Sequence, residues 1–143
     1  MKDKWGRRLF QAGAVELVVL GLVHSLSLIG KQAATNDSER QLLELMSNYK
    51  FMVMGTARTM AEFLRGFSIA FMVAMLGLGV LSLVLLRERE GLLKRVALVN
   101  AIVLAVMTAN SVRYFFVLPT SFLALGLVLF ALAWVKLPAE GTT

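Results

Sequence analysis

The chain has 143 residues, of which 58% are hydrophobic and 17% charged, with a mean hydropathy of +0.74. Because a core of this size cannot cover so much apolar surface, the composition excludes an ordinary soluble domain, in which about 25% of residues are charged. The net charge of +6 does not indicate nucleic-acid binding, because the basic residues flank apolar runs and form no stripe with interleaved aromatic residues.

The apolar residues fall into four long runs, which predict membrane-spanning helices at about residues 9–29, 63–86, 93–112 and 119–136. A helix of about 20 residues crosses a bilayer core of about 30 Å. The last two runs share one apolar stretch, divided by a connector around 113–118. The predicted fold class is therefore all-α, a four-helix transmembrane bundle in which residues 1–143 form a single membrane domain.

The first run carries two ionisable residues, Glu16 and His24, about two helical turns apart on one face. Such groups are costly inside a membrane and are candidates for function. Glu16 is expected either to bond with Asn100 of the third run or to handle protons or cations. His24 is expected to be a hydrogen-bonded interior residue, a proton shuttle or a ligand contact. Both residues also argue against a cleaved signal peptide, the alternative interpretation of this run.

No metal site and no cofactor are predicted, because the chain has one histidine and no cysteine. The missing cysteines likewise exclude a disulfide and an iron–sulfur cluster. No phosphate-binding loop, nucleophile elbow or metal motif occurs in the sequence. The sequence therefore contains no motif that indicates catalysis.

Residues 30–62 are predicted to form an outer loop that contains an amphipathic helix lying at the membrane interface. Ser38 and Gln41 match a capping box at its start. Apolar residues then recur at helical spacing, namely Leu42, Leu45, Met46 and Tyr49. This helix is expected to pack on its own bundle or to offer a docking surface for a partner protein.

The second run begins at another capping box, formed by Thr59 and Glu62. The Glu62 carboxylate is expected either to satisfy a backbone N–H, with a weak pairing to Arg58, or to exchange protons with His24 in an active site. Small residues follow at a spacing of four: Gly66, Ala70 and Ala74. Together with Gly21 and Ser25 of the first run, they predict close contacts between helices within the bundle.

Further polar candidates lie near the outer face, on the second and third runs: Arg65, Asn110, Arg113 and Tyr114. Asn110 and Arg113 are three residues apart and are expected to bind an anionic headgroup or to close the outer end of the bundle. Tyr114 belongs to an aromatic cluster that is typical of an interfacial anchor. Pro119 suits the first turn of the fourth helix, where a missing N–H is harmless.

The basic residues predict the orientation of the bundle. One side carries nine of them close to helix ends: Lys2, Lys4, Arg7, Arg8, Arg87, Arg89, Lys94, Arg95 and Lys136. The other side carries six, spread mostly through the long loop: Lys31, Arg40, Lys50, Arg58, Arg65 and Arg113. Both termini are therefore expected on the cytoplasmic side.

Two stretches, residues 42–72 and 113–133, resemble a family of small four-helix bacterial inner-membrane proteins. The shared pattern consists of Gly55, Arg58, Thr59, Glu62, Phe63, Gly66, Phe67 and Ser68, followed by an Arg-Tyr-Phe-Phe segment. This chain departs from the pattern in having Glu62 where Asp is common and only Pro119 where several prolines occur. The resemblance implies the fold and an inner-membrane location but no chemistry. A likeness to DoxX-like proteins is one of architecture alone.

Three functions compete. The first is a structural or accessory subunit of a larger membrane assembly, with the lipid bilayer and other subunits or further copies of the chain as partners. The second is an enzyme or carrier that holds a lipid-like or isoprenoid ligand between the helices, with His24 and Glu62 exchanging protons and Asn110 and Arg113 orienting its polar end. The third, proton or ion transport through Glu16 and His24, has few polar residues to line a path.

Overall fold

The computed structural model describes residues 2–30 and 33–138. Its elements are, in chain order, α1 (Lys2–Leu26), α2 (Asp37–Asn48), β1 (Lys50–Val53), β2 (Thr56–Thr59), α3 (Met60–Val84), a 3-10 turn (Leu85–Arg87), α4 (Glu90–Tyr114) and α5 (Val117–Lys136). Helices α1, α3, α4 and α5 are each long and apolar enough to cross a membrane. The prediction of a mostly helical protein with four helices of membrane-spanning length and hydropathy is confirmed.

Helix α1 is the central element, since it packs against both α3 and α5, while α4 packs against α5. Glycines at the α1–α3 contact permit a close approach of the two backbones. A Cβ atom at Gly21 would lie 2.7 Å from the Leu76 side chain, and one at Gly79 would lie 2.7 Å from that of Val18. Larger side chains at these glycines would push the helices apart. The predicted close contact at Gly21 is thus confirmed.

The core is formed mainly by apolar side chains that α1, α4 and α5 direct toward each other; α3 adds the buried Met75 and partly buried side chains such as Phe71 and Leu78. Within it the rings of Phe10 and Phe130 meet edge to face, with centroids 5.4 Å apart. Large apolar side chains also cover the outside of the bundle, for example Val106, which is 67% exposed. Water would penalise such a surface, whereas a lipid bilayer accommodates it.

The beginning of α1 and the end of α5 lie together, and a Cβ at Gly6 would be 2.9 Å from the Leu137 side chain. The α3–α4 connection is at the same end, which we call the basic end. The opposite end carries α2 and the hairpin, and we call it the hairpin end. The chain therefore enters and leaves the bundle on one side.

Helix α2 lies inside the predicted loop, but its start differs from the predicted one. The N-cap is Asn36, whose side chain accepts a hydrogen bond of 2.8 Å from the Glu39 backbone N–H. The Glu39 carboxylate in turn accepts two bonds of 2.7 Å from the backbone N–H and the hydroxyl of Thr35. The capping box predicted at Ser38 and Gln41 was wrong: Asn36 and Ser38 are about equally good N-cap residues, and Asn36 takes the role together with the Thr35–Glu39 bonds.

A two-stranded antiparallel hairpin, β1 and β2, follows α2 and was not predicted. Its turn consists of Met54 and Gly55, both at positive φ, 48° and 83°. Hairpin turns of this kind are usually signalled by Asn-Gly or Asp-Gly, and a Met at the first position carries no such signal. The hairpin therefore could not be recognised from local sequence.

The capping box at the start of α3 is confirmed. The Thr59 backbone N–H donates a bond of 2.8 Å to the Glu62 carboxylate, and the Glu62 N–H donates one of 3.2 Å to the Thr59 hydroxyl. At the other predicted boundary, α4 runs on to Tyr114 and α5 begins at Val117, so the break between them is shorter than the predicted connector. Pro119 lies in the first turn of α5, as predicted.

Candidate functional site

The most unusual polar group of the bundle is the carboxyl of Glu16. It lies near the middle of the spanning part of α1, Lys4–Leu26, and the residue is only 8% exposed. Neither carboxyl oxygen has a hydrogen-bond partner among the described residues. Oε2 lies 2.6 Å from the position that a Cβ at Gly126 would occupy, beside Leu104. The absent side chain at Gly126 is what leaves room for the carboxyl between α1 and α5.

The expected bond between Glu16 and Asn100 is not formed. The Asn100 amide nitrogen instead donates a buried hydrogen bond of 3.0 Å to the Ser82 hydroxyl. This bond connects α3 and α4, which are neighbours in sequence but make little other contact. The partner of Asn100 was missed because the sequence shows Ser82 only as a tolerated polar residue in an apolar run.

The ring of His24, near the end of α1, packs at a tilt against that of Phe71, with centroids 4.7 Å apart. Its Nε2 atom is buried and has no hydrogen-bond partner among the described residues. The Thr108 hydroxyl of α4 is also buried, and it too has no hydrogen-bond partner among the described residues. Thr108 was not singled out from the sequence, because a threonine in an apolar helix commonly bonds to its own backbone.

Glu62 and His24 are not brought together. Glu62 lies nine residues before Phe71 on α3, about 13 Å along the helix axis, whereas Phe71 contacts His24. The Glu62 carboxylate is engaged with the Thr59 backbone at the start of the helix. The geometry therefore supports the capping role for Glu62. Arg58 donates to the Ala57 carbonyl oxygen at 2.9 Å.

The polar candidates near the hairpin end point away from the interior. Arg65, Asn110, Arg113 and Tyr114 are all exposed. The Arg113 guanidinium lies over the Tyr114 ring, 5.9 Å from its centroid. Two residues that were not predicted join α4 to α5 here, because the hydroxyls of Ser111 and Thr120 are 2.7 Å apart. Asn110 and Arg113 accordingly remain available to lipid headgroups.

At the basic end Arg7 binds the connection between α3 and α4. Its guanidinium donates to the carbonyl oxygens of Leu86 at 2.6 Å and Glu88 at 2.9 Å and to the Glu90 carboxylate at 3.1 Å. Lys94 donates a bond of 2.8 Å to the Leu137 carbonyl oxygen. From the sequence these residues served only to predict orientation, since their partners are remote in the chain.

Three of the small residues of α3, Gly66, Ala70 and Ala74, are exposed and not packed between helices of the bundle, which corrects their prediction. An added Cβ at Gly66 or at Gly77 would meet nothing within 4 Å, and Ala70 and Ala74 are exposed. The buried residues of this helix, Met75, Gly79 and Ser82, lie on its opposite side. We call the exposed set Gly66, Ala70, Ala74 and Gly77 the outer face of α3.

Among the described residues no three metal-ligating side chains (His, Cys, Asp or Glu) form a group that would hold a metal ion. The arrangement thus combines an exposed small-residue face on α3 with unpartnered polar groups inside the bundle on Glu16, His24 and Thr108. Comparison with protein-family models, curated proteins and solved structures gave no match to this chain. The four apolar helices define its class, a small multi-pass membrane protein.

Proposed function

We propose that this protein is a structural subunit of the membrane, which associates laterally with another transmembrane helix through the outer face of α3. The observation that carries the proposal is the exposure of Gly66, Ala70, Ala74 and Gly77 on the side of α3 that no other helix covers. Small residues at a spacing of three and four let two helix backbones approach within van der Waals contact. In lipid such contacts, rather than the hydrophobic effect, hold helices together.

The distribution of glycines supports this function. Gly13, Gly21, Gly79 and Gly126 each make a close approach inside the bundle, where a Cβ would meet a neighbour at 2.6–2.9 Å. Glycine weakens a helix by about 0.5–1 kcal/mol relative to alanine. Gly66 and Gly77 weaken their helix by the same amount, but no neighbour within the bundle makes use of the missing side chain. A partner helix packed against this face would do so.

The location we propose is a bacterial inner membrane, with the basic end of the bundle on the cytoplasmic side. This orientation is supported by the basic residues that cluster at that end, including Arg7, Arg87 and Lys94. The enzyme or carrier alternative has less support, because His24 and Glu62 lie apart and Asn110 and Arg113 point outward.

The test is the substitution of Gly77 and, separately, of Gly66 by leucine in the full chain. Association between labelled copies is measured in lipid vesicles by energy transfer, and association with other subunits by purification from native membranes in mild detergent. We expect either substitution to weaken association at least about tenfold while the helical content is unchanged, because no atom of the bundle lies where the new side chain begins.

Two control variants complete the experiment. Val106→Leu, on the exposed side of α4, should leave association unchanged. Gly79→Leu should disrupt the bundle itself, since its Cβ would lie 2.7 Å from Val18. Energy transfer between labelled copies would identify a second copy of this chain as the partner. A protein that co-purifies with the wild type and is lost from the leucine variants would identify another subunit. A lone monomer in both assays, unaffected by Gly77→Leu, would contradict the proposal.

A further inference from the structure

The interior of the bundle contains a carboxyl group with no structural partner. Glu16 is 8% exposed and sits near the middle of a membrane span, with its carboxyl against Gly126, where Leu104 also packs. Both of its oxygens lack a donor among the described residues. An ionised carboxylate without a donor or counter-ion is costly in so apolar a place, so the packing accommodates the carboxylic acid.

The helices around Glu16 present no charged group to it. The buried residues of α3, α4 and α5 in the described part of the chain include no ionisable side chain. On α1 itself, Arg7 is nine residues away, about 13 Å along the axis, and is bound to the α3–α4 connection. His24 is two turns away in the other direction. A salt bridge therefore does not explain the buried carboxyl.

The other unpartnered polar atoms extend from Glu16 toward the hairpin end. Leu104 marks the level of Glu16 on α4, and the Thr108 hydroxyl lies one turn, about 6 Å, further along that helix. His24 lies about 12 Å beyond Glu16 on α1, and its Nε2 is likewise buried and unpartnered. Along the helix axes the three groups therefore follow one another at intervals of about 6 Å, from mid-membrane toward the hairpin end.

We propose that Glu16 is a proton-binding site, loaded and unloaded from the hairpin end by way of Thr108 and His24. A hydroxyl and an imidazole can each accept a proton on one side and donate one on the other, which is the chemistry that a relay requires. A metal cation is a poor occupant, because hard cations take six or more oxygen ligands and Glu16 offers one carboxyl. The site lies inside the bundle and does not depend on the assembly proposed above.

The site is tested by infrared spectroscopy of the full chain in lipid vesicles. The wild-type protein should show the C=O stretching band of a protonated carboxyl that is missing from Glu16→Gln and retained in Glu62→Gln, in which the exposed capping carboxyl is replaced. The band should shift when the medium is changed to D₂O and should disappear reversibly as the pH is raised. Both responses require a proton that exchanges with solvent.

The proposed route is tested with Thr108→Val, which removes the hydroxyl at similar size, and with His24→Phe. Each should slow the D₂O shift of the Glu16 band at least about tenfold while leaving the band in place. Thr120→Val, at the α4–α5 contact near the hairpin end, serves as the control and should not slow it. The near-isosteric Glu16→Gln preserves the packing, and Glu16→Asp provides a second variant with a displaced band.

Three outcomes would contradict the proposal. A protonated band that neither shifts in D₂O nor responds to pH would make Glu16 a sealed structural acid. The absence of any protonated band attributable to Glu16 would show that the carboxyl is ionised and has another partner. Exchange that persists unchanged in both Thr108→Val and His24→Phe would contradict the route through these residues. None of these results bears on association through the outer face of α3.

Discussion

Single residues decide how closely the helices of this bundle approach, and Gly126 is the clearest case. Its missing side chain leaves the space in which the Glu16 carboxyl lies, with Oε2 2.6 Å from the position of a Cβ. The sequence showed a carboxylate in an apolar run but gave no sign of what would face it. The contact joins residues more than a hundred positions apart, so it depends on how α1 and α5 pack.

Gly126→Ala should lower the free energy of unfolding by about 1–3 kcal/mol, because the added methyl displaces the carboxyl in a packed interior. Helix propensity alone would raise the free energy of unfolding by about 0.5–1 kcal/mol, because alanine favours a helix more than glycine does. The control is Gly77→Ala, whose Cβ meets nothing, and it should not destabilise the protein. Denaturant titration in detergent measures both. Additive effects of Gly126→Ala and Glu16→Ala, with coupling below about 0.5 kcal/mol, would contradict the clash.

Glu39 is a surface residue whose titration should loosen the start of α2. Hydrogen bonds from the Thr35 hydroxyl and backbone N–H lower the pKa of its carboxyl from the ordinary value of 4.5. A lowered pKa in the folded state contributes stability at pH values above 4.5, and this contribution is lost as the pH falls through the folded-state pKa. We expect amide protection across residues 35–41 to decrease in acid. Glu39→Gln should abolish this dependence, and an unchanged acid response in that variant would rule out Glu39 as its cause.

At the scale of elements, Arg7 stabilises the bundle by joining α1 to the connection between α3 and α4. Its fork of N–H donors matches two carbonyl oxygens and the Glu90 carboxylate at once. The last carbonyls of a helix have no partner within the helix, so an outside donor is favourable there. The sequence indicated basic residues near the membrane surface, but which one would bind this turn depended on the tertiary packing.

Arg7→Ala should destabilise the protein by about 1–3 kcal/mol, since it leaves the partly buried Leu86 carbonyl oxygen without this donor. Arg7→Lys should recover only part of this loss, because an ammonium group cannot contact all three acceptors in the same geometry. The neighbouring Arg8 is exposed, with its guanidinium 6.0 Å from the Trp5 ring centroid, so Arg8→Ala is the matched control. Equal losses for the two alanine variants, measured by thermal unfolding, would contradict the role of Arg7.

For the whole molecule, the two ends of the bundle should lie on opposite sides of the membrane. Because the chain has no cysteine, single cysteines at Arg89, in the α3–α4 connection, and at Thr56, in the hairpin, can be labelled without background. A reagent that does not cross the membrane should label Arg89→Cys only in inverted vesicles and Thr56→Cys only in intact cells. Labelling of both from the same side would contradict the four-span topology.

The number of helices long and apolar enough to span a membrane followed from the sequence because lipid acts on each helix separately. A run of about 20 apolar residues is stable across a bilayer whatever its neighbours are, so local hydropathy suffices. The capping box at Thr59 was predictable for a similar reason, since both partners lie within one helical turn. The start of α2 was not predictable in this way, because Asn36 and Ser38 are both suitable N-cap residues and lie only two positions apart.

The contacts between the helices were decided only by the tertiary structure. From the sequence, Glu16 was paired with Asn100, and the small residues of α3 were assigned to the interior of the bundle. The folded chain instead joins Asn100 to Ser82, packs Glu16 against Gly126, and turns Gly66 and Gly77 outward. Every face of a membrane helix is apolar, so hydropathy does not distinguish the side that meets lipid from the side that meets protein. That choice depends on side-chain shape across remote segments, which only the packed helices determine.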